Sequence, residues 1–146
     1  MTPTLAGRWQ TRILLYFVVG LPVTLIYAWY LGLEDDFLDP FVFLTILFAV
    51  GLLLDPVYDF IQRFRWDNDW PFAFFVFFGI CEFLITLGLF NAGVFDRLLV
   101  YRIDNGTALV HFGWVLMFML LGVLAGVQVF FIRWRFKGGE IGRFRS

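Results

Sequence analysis

Three carboxylates stand where the chain is otherwise apolar. Asp55 and Asp59 lie in the run LLLDPVYDFIQR, and Glu82 lies in FFGICEFLITL. Acids in such a setting have three uses. They hold helices together as paired or proton-sharing groups, they pass protons or cations, or they catalyse. Pro56 follows the first acid directly. It has no N–H to offer the carbonyl of Leu52, and its ring pushes the helix open there. A bare carbonyl beside an acid is a natural node for a protonated carboxyl, a water or a cation.

The catalytic reading lacks its parts. The only serine is Ser146, so no serine nucleophile lies inside an apolar run. No phosphate-binding glycine loop occurs, and Leu54-Asp55-Pro56 does not supply the Gly-Asp motif of a paired-aspartate protease. The single cysteine, Cys81, excludes an internal disulfide and a thiolate metal cluster. The single histidine, His111, excludes a multi-histidine metal site. The DND of Asp67 to Asp69 sits between Trp66 and Trp70 and reads as an interfacial turn. No enzyme activity, cofactor or metal is expected.

The elements that must position these acids follow from hydropathy. Of 146 residues, 61% are hydrophobic and only 16% charged, with 21 phenylalanines. The mean hydropathy is +0.82. A soluble fold of this size cannot hide so much apolar surface, so the surrounding solvent is lipid. Four runs are long enough to cross a bilayer, which takes about 20 helical residues. They span about 13–33, 41–64, 71–95 and 108–132. Pro40 and Pro71 open two of them, at positions where a missing N–H costs nothing. Arg8 and Arg12 precede the first run as a signal peptide's basic residues would. That run is too long and has no small-residue cleavage site, so a retained helix is expected.

Nine of the eleven basic residues flank one side of these runs, among them Arg8, Arg12, Arg63 and Arg65. Only Arg97 and Arg102 fall on the other, and the connection GLEDDFLDP has none. The expectation is therefore an all-α fold: an integral membrane four-helix bundle of one domain, antiparallel and up-down, with both termini cytoplasmic in the plasma (inner) membrane.

Helical spacing assigns a polar or small stripe to each run. The stripes are Tyr16, Gly20, Thr24 and Tyr27; Gly51, Asp55, Asp59 and Gln62; Gly79, Glu82, Thr86 and Gly93; and His111, Gly122, Ala125 and Gly126. Asp55 lies about 12 Å inside the end marked by Arg63, and Glu82 about 16 Å inside Pro71, so the two meet at similar depth. Asp59 lies level with Gln128 and has Arg63 one turn on as a partner. An inner polar cluster of Asp55, Asp59, Glu82 and Gln128 is expected, with Asn91 and His111 forming an outer layer. Gly122 and Gly126 make a GxxxG for helix packing, within the chain or against another subunit. Gly88 and Ala92 offer a second small patch.

The tail at 133–146 mixes Arg133, Arg135, Lys137, Arg143 and Arg145 with aromatics. It is expected on anionic lipid at the cytoplasmic face, at about 1 kcal/mol per basic residue. Asn105-Gly106-Thr107 matches a glycosylation sequon, a three-residue pattern with little weight alone. Two functions fit these features. One is a non-enzymatic subunit or anchor that binds other membrane or peripheral proteins. The other is a small oligomeric proton- or cation-coupled transporter using Asp55 and Glu82. The expected partners are the bilayer, anionic lipid, and other membrane subunits or copies of the chain; nucleic acid is not among them.

Overall fold

The computed structural model describes residues 4–31, 37–64, 72–97 and 104–127, and all regular structure among them is helical. Four helices are each long and apolar enough to cross a membrane. We label them α1 (Leu5–Tyr30), α2 (Asp39–Arg63), α3 (Phe72–Asn91) and α4, which is α-helical over Asn105–Leu121 and continues as a π-helical Gly122–Val127.

Helix α1 starts eight residues before the expected Ile13. The signal is Thr4, in extended conformation, whose hydroxyl accepts from the Gly7 N–H at 3.1 Å and so satisfies one of the free amides of the first turn. Arg8 and Arg12 thus lie within α1 rather than ahead of it. The helix is not uniform. Tyr16–Gly20 is a π-helical turn, closed by the Leu21 N–H donating to the Tyr16 carbonyl. Pro22 follows at once and removes the next donor.

In α2, Pro40 occupies the first turn and Pro56 sits inside a continuous 25-residue helix, about 37 Å long. Helix α3 ends at Asn91, short of the expected 95, because the chain turns at Gly93. There φ is +76°, the Gly93 N–H bonds Phe90, and the Val94 N–H reaches back to Leu89. That pair of bonds with a left-handed glycine is a Schellman close. Gly93 is therefore part of the turn and not of the α3 stripe. Helix α4 starts at Asn105, because Asp104 accepts from the amides of Gly106 and Thr107 at 2.9 and 3.1 Å.

Helix α1 packs on α2 and α4, and α3 packs on the same two, so the helices close a ring. Contacts between α1 and α2 pair Arg8 with Gln62, Arg12 with Asp55 and Tyr16 with Thr45. Numbers rise along one helix as they fall along the other. The centre is apolar. Phe43 and Leu44 are almost fully buried, and Phe83 stacks on Phe112 with centroids 4.3 Å apart. Outward faces carry Phe17, Ile26, Trp29, Leu53, Phe64 and Leu109, all exposed, as suits contact with lipid.

Candidate functional site

Asp55 and Glu82 come together, but not as a proton-sharing pair. Arg12 lies between them. Its Nε and Nη2 donate to Asp55 at 3.1 and 3.0 Å, and its Nη1 and Nη2 donate to Glu82 at 2.9 Å each. Both forks of one guanidinium are thus occupied by carboxylates from two other helices. Such bidentate, charge-assisted bonds are the strongest kind available to side chains. The acid side chains are almost wholly buried, at 2% and 8% exposure, while Arg12 keeps 25%. Arginine does not give up its proton in proteins, so a fixed positive charge faces both carboxylates. The cation between the two acids is supplied by the chain itself.

The backbone makes room for this clamp at Gly51, one turn before Asp55. A Cβ there would fall on the Arg12 Nη1, with Cζ at 2.6 Å and the Glu82 Oε2 at 2.8 Å. Only glycine lets the guanidinium lie in the groove of α2. Tyr58, buried and packed on Phe78 with centroids 4.3 Å apart, brings its phenol within electrostatic reach of Glu82 and Arg12. Thr86 is fully buried and donates to the Glu82 carbonyl at 2.8 Å.

One turn toward the chain's start, Arg8 donates to the buried Gln62 at 2.6 Å. Asp59 pairs with Arg63 at 2.7 Å, with the Arg63 side chain 75% exposed. Arg8, Arg12 and Arg63 thus face Asp55, Asp59 and Glu82, and the described cluster is formally neutral. Gln128, expected here, lies outside the described residues, as do Arg133, Arg135, Lys137, Arg143 and Arg145 and the DND turn.

A second polar layer lies at the far end of the bundle. The Thr24 hydroxyl and the His111 Nε2 are 2.9 Å apart, both residues almost fully buried. The Tyr27 ring lies 4.8 Å from the imidazole, and its hydroxyl donates to the Thr107 carbonyl at 3.1 Å. Asn91, expected beside His111, is the exposed last residue of α3, and Thr24 and Tyr27 of α1 are in contact with His111. Phe43, Leu44, Phe83, Phe112 and Val115 fill the space between the two layers.

The two glycines of the GxxxG part company. A Cβ on Gly122 would meet Val19 and Leu15 at 3.2 and 3.3 Å, so Gly122 serves close packing inside the chain. Among the described residues, nothing lies within 4 Å of the same position on Gly126 or Gly88.

The sequence reading missed Arg12, Gly51 as its cradle, and Thr24 as the partner of His111. Arg8, Arg12 and Tyr16 extend the Gly20–Thr24 stripe backward at intervals of four. That spacing, with two core acids lacking a cation, was the available signal. A comparison with known proteins finds no matching family, no matching curated protein and no matching solved structure.

Proposed function

We propose that this chain is a multi-pass membrane subunit or anchor, without catalysis of its own, that holds other membrane or peripheral proteins in the bilayer. Four apolar helices are compatible with a multi-pass membrane protein. The observation that carries the reading is the Arg12 clamp. A proton- or cation-coupled carrier needs an acid that trades its partner with water. Here Asp55 and Glu82 each accept two N–H bonds from a cation that stays charged. Three helices are cross-linked by that single group, which suits a rigid body presenting fixed outer faces.

The proposed arrangement is antiparallel and up-down, with both termini cytoplasmic in the plasma membrane. The rising and falling contact pairs between α1 and α2 support the up-down order. Arg8 and Arg12 leave the count of flanking charges, and the bias of the rest, seven against two, still favours the same side. The open glycines Gly88 and Gly126 are where a neighbouring helix would approach. The basic tail from Arg133 to Arg145 would rest on anionic lipid.

Purification in mild detergent followed by native mass spectrometry tests this reading, together with proton and cation flux in liposomes holding the pure chain. A stoichiometric unrelated subunit and no flux are expected. A homo-oligomer alone, with flux lost in Asp55→Asn and Glu82→Gln, would establish the carrier instead.

A further inference from the structure

Helix α1 serves two layers at once, and a regular helix cannot. Successive residues turn by about 100° in an α-helix. In a regular helix the buried Leu15, Tyr16, Thr24, Tyr27 and Ala28, with Arg12, would spread over about 220°. Thr24 would then point about 120° away from Arg12. A π turn is an α-helix with one residue inserted, so everything beyond it slips back by about 100°. With that correction the same residues gather within about 120°, and Arg12 and Thr24 within about 20° of each other. The wide turn sits between them, at Tyr16–Gly20. Its Gly20 lies against Met119 and Leu44, so the segment is also tightly packed.

We infer that Tyr16–Gly20 is a register device: one inserted residue, held as a wide turn, by which a single helix engages the Arg12–Asp55–Glu82 layer and the Thr24–His111 layer together and so couples them. Arg12 and Thr24 are about 18 Å apart along the axis and do not touch. The coupling has another source. A π turn is less favourable than an α turn, which is why it is rare. It persists because both layers demand it. Losing either layer frees α1 to relax to regular α-helix, and the relief offsets part of the loss. Losing both gives that relief only once. The inference is independent of what the chain binds.

The test is a double-mutant cycle on the full chain in detergent, read as the midpoint of thermal unfolding. Thr24→Val removes the outer hydroxyl, and Glu82→Gln weakens the inner clamp. The double variant is expected to fall further than the sum of the two single falls. Deleting the lipid-facing Val18, 63% exposed, takes out the inserted residue and leaves a regular helix in the same register. In that background the two falls should simply add, as they do for distant independent sites. Additive falls in the full-length helix, or an excess that survives the deletion, would overturn the inference. Pro22→Ala is expected to keep the excess; its disappearance would assign the wide turn to proline alone and overturn the inference too. If Glu82→Gln does not fold, Gln62→Leu, acting on the Arg8 contact, takes its place in the cycle.

Discussion

Replacing Gly51 with alanine puts the clamp to its most direct test, because two opposite outcomes are both physically reasonable. The new methyl would lie on the Arg12 guanidinium and 2.8 Å from the Glu82 Oε2. These atoms are ends of long side chains. If they were free to move, the methyl would be accommodated, and alanine would stabilise the helix by about 1 kcal/mol over glycine. They are not free, since Arg12 is held by four hydrogen bonds to buried acids. Pushing the guanidinium away from Glu82 removes the two bonds between them, one from Nη1 and one from Nη2, at about 1.5 kcal/mol each for a charged partner. Set against the helix gain, the net loss is about 2 kcal/mol, a roughly 30-fold fall in the folded-to-unfolded ratio. Equilibrium unfolding in a mixed-detergent titration measures it. The cost should vanish when Glu82→Ala is already present. A Gly51→Ala chain as stable as the parent, or more so, would show that the guanidinium is not fixed in this groove.

Arg12→Met leaves two buried carboxylates without their cation and should cost about 3–5 kcal/mol, measured in the same titration. Arg12→Lys should recover only part of it, since an ammonium cannot fork onto both acids. Breaking the exposed Asp59–Arg63 pair with Asp59→Asn should change stability by no more than about 0.5 kcal/mol. Gly122→Leu should unfold the chain at lower denaturant, because the space is filled by Leu15 and Val19. Gly126→Leu should leave the fold intact and instead reduce recovery of any partner subunit in native mass spectrometry.

The helices were largely legible, because four long apolar runs admit few other structures. Their ends were legible where a cap or turn residue was simple. Pro40 marked the start of α2 correctly, whereas Thr4 and Asp104 moved two starts earlier than hydropathy suggested. The depth match of Asp55 and Glu82 also followed from rise and spacing. Their partner did not. An arginine just ahead of an apolar run has the same sequence appearance whether it flanks the membrane or enters it. Only the contact with α2 and α3 distinguishes the two. Gly51 was placed on the correct face as a small residue, but the sequence does not say what presses against it. The wide turn was illegible for a different reason. Phase arguments assume one helical period throughout, and the insertion at Tyr16–Gly20 breaks that period while leaving composition untouched.

The clamp also imposes an order of events on synthesis. Arg12 emerges first, and Glu82 is made 70 residues later. At about 5–20 residues per second, that interval is roughly 4–14 s. Throughout it a cation in the first helix has no countercharge from α3, and bare arginine is costly in the hydrocarbon. In a bilayer the beginning of α1 would therefore wait near the headgroups, with its charge in water. Its pairing would be complete only once Glu82 of α3 joins Asp55 of α2. Of the three helices that the clamp joins, α1 is made before the two that complete its pairing.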